Sequence, residues 1–284
     1  MVVPPKLLIA SQGGQPVSAA LHDTVEQIAG LGWLNVGACA RTLLHVAARG
    51  RSPLVEETAR ALAAHLRGRV AVDQAAVLDL ADSTNEWEGL PRLALSPGAA
   101  VSVRGRRGIA VKVPPQYFES WFVITVATVH ADPRWRVSGV LAAQAEVLEH
   151  LDPGAPRAQL LVEAHRLAAS DLAVACGTTG EGEAWWAFSP SDLLVESAIA
   201  GAAGIAPRDL PSIRAIAQHE LVDGGELPGV DAGPLLAEML AVREQGRAAV
   251  WRAREDLHRI MRTLRKVPHA LRRRIAARFA GGNA

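Results

Sequence analysis

The chain has 284 residues, of which 49% are hydrophobic and 21% are charged, and its formal net charge is +1. This composition excludes a disordered chain, and the length is sufficient for a substantial core. The amino terminus lacks the long apolar stretch of a signal peptide, and no apolar run approaches the ~20 residues that span a bilayer. Two cysteines, Cys39 and Cys176, are too few for a disulfide framework. We therefore expect a soluble, cytoplasmic protein with no membrane span.

The first part of the chain predicts a βαβ unit. Residues 17–31 carry apolar residues at helical spacing, and a short apolar run that ends near His45 fits a buried strand. Residues 52–66 begin with a Ser-Pro pair, which suits the N-cap and first position of a helix. Candidate strands follow at 69–74 and 77–82. A strand, a helix and a strand at this spacing indicate parallel strands joined by a right-handed crossover.

The middle of the chain predicts a hairpin and then more alternating strands and helices. Residues 93–118 alternate apolar and polar residues around turn signals, which indicates a β-hairpin or meander. An apolar strand and helices at 138–150 and 157–168 come next. A strand ending at Cys176, a glycine-rich loop and an apolar helix starting near Asp192 follow.

The end of the chain has a different pattern. Residues 243–278 contain twelve basic and three acidic residues, a surplus of +9, so the remainder carries −8. Apolar residues recur at heptad spacing over 250–271, which predicts a long helix interrupted near Pro268. The heptad stripe, the acidic body and the absence of interleaved aromatic residues favour subunit packing over nucleic-acid binding.

We therefore predict an α/β domain over residues 1–230, with a mainly parallel sheet flanked by helices. A basic amphipathic helical extension over 231–284 completes the chain. This extension is expected to support a homo-oligomer or a hetero-oligomer.

Two histidines mark the ends of predicted strands. Ligands collect outside the carboxyl ends of parallel strands, so His45 and His130 would open onto one crevice if their strands are neighbours. A pair of imidazoles there suits general acid and base chemistry, although a hydrogen-bonded structural histidine explains each one equally well. Nearby arginines suit a carboxylate, phosphate or sulfate, or are ordinary surface charges. They are Arg41, Arg49, Arg51, Arg134 and Arg136.

The glycine-rich loop at 177–192 supplies a second group of candidates. Its adjacent tryptophans form either a substrate wall or a hydrophobic plug. A Ser-Asp pair lies at the start of the next helix, where capping explains it without any function, and an acidic residue follows one turn later. These candidates for substrate binding and acid–base work are Trp185, Trp186, Ser191, Asp192 and Glu196.

No dinucleotide fingerprint, phosphate-loop lysine or short-range pair of histidine ligands occurs in the sequence. We therefore predict neither a cofactor nor a metal site.

Four segments occur in an order shared with one protein family. They are "ALHDTVEQIAGLG" with "TLLHVAARG", then "SPLVEETARALAAHLRGRVAVDQ", then "FVITVATVHADPRWRVSGVLAAQAEVL", and last "SDLLVESAIAGAAGIAPRDLPSIR". In the order and character of these segments, the chain resembles the domain-of-unknown-function family 362 over about residues 17–225. The family's polar motifs are changed: His45 replaces the first lysine, and His130 takes the place of the last lysine or the histidine of a Lys-x-Lys-Thr-His motif. Two family aspartates fall on Ser191 and Glu196.

The resemblance implies a retained fold with a rewritten polar centre, and some relatives look like enzymes of specialised metabolism. We expect a biosynthetic enzyme of natural-product metabolism, such as antibiotic biosynthesis, that acts on a small anionic or amino-acid-like substrate. His45 and His130 would exchange protons while Arg41 and Arg134 hold an acidic group. Isomerisation, elimination or cyclisation fits better than redox chemistry. The alternative is a non-catalytic partner subunit that stabilises or completes another biosynthetic enzyme.

Overall fold

The structure of the protein is a computed structural model. The predicted basic helix over 231–284 and the domain boundary at residue 230 lie outside the residues that it describes, so both stay predictions. The side chains of Arg104 and Arg208 are not described either. The described residues are 7–36, 41–81, 86–104, 110–117, 119, 121–132, 135–167 and 169–216.

Strands and helices alternate along much of the described chain. The helices predicted at 17–31, 52–66, 138–150 and 157–168 are confirmed to within two residues at each end. Among the described residues, no helix combines the length and the apolar character needed to cross a membrane. In chain order the elements are β1 (Leu8–Ser11), α1 (Val17–Gly30), β2 (Arg41–Val46), α2 (Pro53–Arg67), β3 (Ala75–Asp79), β4 (Val101–Arg104), β5 (Ala110–Val113), β6 (Trp121–Thr128), β7 (His130–Asp132), β8 (Arg136–Ser138), α3 (Val140–Leu151), α4 (Arg157–Leu167), β9 (Leu172–Thr178), β10 (Ala184–Ser189) and α5 (Asp192–Ala202).

Six strands form one sheet in the order β1-β10-β9-β6-β2-β3. The strands β9, β6, β2 and β3 are parallel to one another, whereas β10 pairs antiparallel with both β9 and β1. This arrangement confirms the predicted α/β fold with a mainly parallel sheet. The predicted hairpin within 93–118 is also confirmed, since β4 and β5 pair antiparallel outside the main sheet.

Helices cover the sheet on both faces. Leu44, Val46 and Ile124 pack in one apolar cluster with residues of α1 and α2. Leu43 and Val123 pack on the opposite face, in a cluster that includes a valine of α3. Side chains alternate between the two faces along a strand. The even-numbered residues of β2 and β6 therefore face α1 and α2, and the odd-numbered residues face the layer of α3.

The order in which strands are added to the sheet reverses between the parallel neighbours β2 and β6. From β2 the chain passes through α2 to β3 on one side, and from β6 it passes through α3 and α4 to β9 on the other. Neighbouring parallel strands whose connections diverge leave a crevice outside their carboxyl ends, which is the usual ligand position in open α/β sheets. By this rule, the expected ligand position is the crevice outside the carboxyl ends of β2 and β6.

Two sequence-based predictions are wrong. Residues 69–74 are not a strand: they include a 3-10 turn at Val72–Gln74, and the strand begins only at Ala75. The loop predicted over 177–192 contains β10, whose six residues are all buried between β1 and β9. An apolar strand buried on both faces lacks the alternation that identifies a half-exposed strand, so its pattern was uninformative.

The N-cap of α2 can be tested against a matched serine. The Ser52 side chain accepts a hydrogen bond from the Val55 N–H, whereas Ser191 occupies the N-cap of α5 with no side-chain cap bond. We expect Ser52→Ala to lower the free energy of unfolding by about 1 kcal/mol and Ser191→Ala to lower it by less. Urea unfolding of both variants measures this difference. Equal losses would contradict the assignment of the cap.

Candidate functional site

Two loops meet outside the carboxyl ends of β2 and β6. Residues 47–52 join β2 to α2, and the Ser52 Oγ shares a hydrogen bond of 3.1 Å with Oγ1 of Thr128, the last residue of β6. Gly50 has a φ of 63°. A Cβ at this position would lie 2.1 Å from Nδ1 of His130. Glycine is therefore required both by the backbone conformation and by the close approach of the imidazole.

A carboxylate of α3 holds the loop that follows β2. Oε2 of Glu146 accepts hydrogen bonds from the backbone N–H groups of Ala48 at 3.2 Å and Arg49 at 3.4 Å. The Arg49 Nε lies 3.5 Å from Oε1 of the same carboxylate, and its Nη2 lies 2.9 Å from Oε2 of Glu149. Burial raises the pKa of Glu146 to about 7, although its contacts with Arg49 and Ala48 act in the opposite direction. This carboxyl group therefore changes its charge near neutral pH.

A second arginine anchors the same loop on its other side. Arg51 donates to both carboxylate oxygens of Asp79, at 2.7 and 3.2 Å, and its Nε donates to Glu56 at 2.8 Å. Its guanidinium also lies over the Trp87 ring, 5.5 Å from the ring centroid. Two-pronged contact with a carboxylate fixes a guanidinium strongly. Arg51 therefore fixes the loop in place.

His130 lies half-buried at the start of β7. Its Nδ1 is 3.2 Å from the carbonyl oxygen of Thr128, and a carbonyl oxygen only accepts, so this contact assigns the hydrogen to Nδ1. In the neutral ring, Nε2 then carries the lone pair. The exposed Arg136 is in the paired strand β8 with a φ of 65°. Arg134 lies outside the described residues.

The structure places His45 in the interior. Its strand is a parallel neighbour of β6, as predicted, and it pairs with Thr125. His45 is fully buried, however, and neither ring nitrogen has a hydrogen-bond partner among the described residues. Burial lowers its pKa to about 4, against a weaker opposing effect of Asp79. His45 therefore does not open onto the crevice beside His130.

Glu196 is also buried, and it caps a helix. Its Oε1 accepts the Leu141 N–H of α3 at 2.9 Å, and its Oε2 accepts from the Ser212 hydroxyl at 3.4 Å. The first N–H groups of a helix have no partner within the helix, so a carboxylate at this position stabilises α3. Burial raises the pKa of Glu196 to about 7.

Asp192 belongs to a buried polar cluster beneath α3. Its Oδ2 accepts from the Gln144 amide at 3.1 Å and from the Ser170 N–H at 3.3 Å. The Ser170 hydroxyl in turn donates to Thr125 of β6 at 2.6 Å. Burial raises the pKa of Asp192 to about 6. These contacts hold α3 and α5 against the sheet.

The remaining predicted site residues lie away from the crevice. Arg41 begins β2, at the opposite edge of the sheet, where its guanidinium lies 5.5 Å from the centroid of Trp121. Trp186 is buried in β10 and donates from Nε1 to Thr58 at 2.9 Å. Trp185 is buried in the same strand against Gly177.

Glu146 is not among the site residues predicted from the sequence. It is 7% exposed on a helix in which all of the first nine residues are buried. An acidic residue in a predominantly apolar helix was the available signal, because a buried carboxylate requires a partner. The partner itself was not predictable, since it comes from backbone N–H groups nearly a hundred positions earlier in the chain.

Comparison with protein-family models finds no match for the chain, and comparison with curated proteins finds none. The resemblance to the domain-of-unknown-function family 362 therefore stays a prediction. Within the described ranges, no group of three or more histidine, cysteine, aspartate or glutamate side chains is arranged to hold a metal ion.

The protonation of His45 can be tested through stability. Its pKa is 6.5 when unperturbed and about 4 in the folded chain, so its contribution to stability is full above pH ~6.5 and is lost as the pH falls toward 4. We expect His45→Leu to reduce the loss of stability between pH 7 and pH 4.5 by about 2 kcal/mol, measured by urea unfolding. Asp192 and Glu196 remain in both proteins, so their effects cancel. An unchanged pH dependence would contradict the buried, neutral state of His45.

Proposed function

We propose that the protein is an enzyme that performs acid–base chemistry on a small anionic or amino-acid-like substrate at the crevice between β2 and β6. One observation carries this proposal. The half-exposed imidazole of His130 packs on the arginine-bearing loop after β2, at the point where the strand order of the sheet reverses. His130 packs on Gly50, and Arg49 precedes that glycine directly. Ligands of open α/β sheets bind at such a point.

In the proposed reaction, His130 transfers the proton and arginines hold the anionic group. The three ring atoms nearest to Gly50 are Nδ1, Cγ and Cε1. Because Nδ1 is fixed by the carbonyl oxygen of Thr128, the proton would be exchanged through Nε2. Arg49 is 41% exposed in its side chain, so it can turn part of its guanidinium to a ligand. Isomerisation, elimination and cyclisation of an anionic substrate can all use a base together with a group that holds the charge.

Two of the residues predicted from the sequence to act on the substrate take no part in the proposed reaction. His45 and Arg41 lie outside the crevice. We therefore assign the acid–base role to His130 and the anion-holding role to Arg49, with Arg136 in the adjacent hairpin. A biosynthetic role in specialised metabolism is part of the proposal and rests on the resemblance described above.

The experiment follows proton exchange at carbon, which does not require the product to be known. The protein is incubated in D2O with a panel of small carboxylic and amino acids, and loss of substrate C–H signals is followed by NMR. We expect His130→Ala to reduce exchange by about a hundredfold or more, because a positioned base contributes that much to a proton transfer. Arg49→Ala should raise the substrate concentration needed for half-maximal exchange.

A matched control is available on the other face of the sheet. His22 is an exposed histidine of α1, and His22→Ala should leave exchange unchanged. Equal losses in both histidine variants would contradict a specific role for His130. If no substrate exchanges but native mass spectrometry shows a stable complex with a co-expressed biosynthetic enzyme, the protein is the non-catalytic partner subunit instead.

A further inference from the structure

The β2–α2 loop already holds a carboxylate. Two consecutive backbone N–H groups, those of Ala48 and Arg49, converge on one oxygen of Glu146. The Arg49 guanidinium approaches the other oxygen. Converging main-chain N–H groups beside an arginine are the donor set that proteins use for carboxylate, sulfate and phosphate groups. Glu146 therefore shows which chemical group this loop binds.

The hold on Glu146 is weak for a charged pair. Its hydrogen bonds from the two amides are 3.2 and 3.4 Å long, and the Arg49 Nε lies 3.5 Å from its other oxygen. Charge-assisted hydrogen bonds are typically about 2.7–2.9 Å. The desolvation of this carboxylate is not offset by its contacts, as its raised pKa indicates. A contact of this kind can be exchanged for a better-placed anion at small free-energy cost.

The donors lie at the edge of the crevice. Ala48 is half-buried and Arg49 is exposed, and Gly50, on which His130 packs, follows them immediately. An anion bound to these amides would therefore lie beside the glycine on which the imidazole of His130 packs.

We propose that the N–H groups of Ala48 and Arg49, together with the Arg49 guanidinium, bind the anionic group of the substrate, and that Glu146 occupies this site in the unliganded protein. This inference rests on the proposed function for the identity of the ligand as a substrate. Binding requires Glu146 to lose either its charge or its contact with the loop, so the site is closed by an internal competitor.

Competition of this kind makes anion binding depend on pH. The charged groups that face Glu146 are Arg49 from the loop and Glu149 from the same helix, and Glu149 is also paired with Arg157 of α4. His130 faces the loop from β7. Protonation of Glu146 removes the competing charge, so anions should bind more tightly as the pH falls from 8 to 6.

Sulfate is the probe, because it keeps its charge across this range. Titration calorimetry gives its dissociation constant for the full chain, and NMR of the backbone amides reports the residues that it contacts. We expect Glu146→Ala to tighten sulfate binding by about tenfold, to remove most of its pH dependence, and to move the Ala48 and Arg49 amide signals on binding. Arg49→Ala should abolish binding in both backgrounds.

Three variants complete the design. Glu149→Ala frees Arg49 from its second partner but leaves the amides covered, so it should tighten binding less than Glu146→Ala. Glu146→Gln keeps an acceptor for the loop without the charge, and it gives the same direction of change if the alanine variant does not fold. Because the imidazole of His130 also faces the loop, the series is repeated with His130→Ala.

The outcomes separate the inference from the proposed function. If both Glu146 variants bind sulfate more weakly than the wild type, Glu146 supports the loop, and the idea of an internal competitor is overturned. If neither the wild type nor these variants bind sulfate, the anion site itself is overturned. If sulfate binds as expected but no compound exchanges protons in D2O, the anion site stands and the acid–base function fails.

Discussion

The parallel pairing of β2 with β6 is the constraint on which the rest of the structure depends. It aligns the two strands so that both end at one edge, and the crossovers that leave them run to opposite sides of the pair. One crossover carries α2 along one face and the other carries α3 along the opposite face. The loop that follows β2 and the turn that follows β6 are then forced together, which is why Gly50 meets His130 and Ser52 meets Thr128.

Charged side chains hold the loop that follows β2. Arg51 is held by Asp79 and Glu56, while the preceding residues are held by Glu146. The two anchors are not equivalent. The Arg51–Asp79 contact is short and two-pronged, whereas the contacts of Glu146 are long, and burial acts against its charged form. The contacts of Ala48 and Arg49 with Glu146 can therefore be exchanged while Arg51 keeps the connection to α2 in place.

The sequence predicted the fold class, the helices α1 to α5 and the hairpin, because helical periodicity and capping residues are local signals. It did not predict which histidine is accessible. His45 and His130 both follow apolar runs, and only the pairing of β2 between β3 and β6 shows that His45 is covered on all sides. Trp186 was misplaced for a related reason, since a strand buried on both faces resembles any apolar segment. Glu196 and Asp192 satisfy backbone N–H groups of α3 and of Ser170 that are distant in sequence.

The buried carboxylates Glu196 and Glu146 have different roles, because different groups surround them. Glu196 faces the start of α3 and a serine, and none of its hydrogen-bond partners in the described part of the chain is an arginine, so its acceptors complete a helix end. Glu146 faces two loop amides and an arginine that has a second acidic partner and an exposed side chain. An arginine shared between two carboxylates retains a net attraction for a further anion only when one of the two is displaced or neutralised. That condition links the occupancy of the anion site to Glu146, and the position of Gly50 next to Arg49 in the chain links the same site to the imidazole of His130.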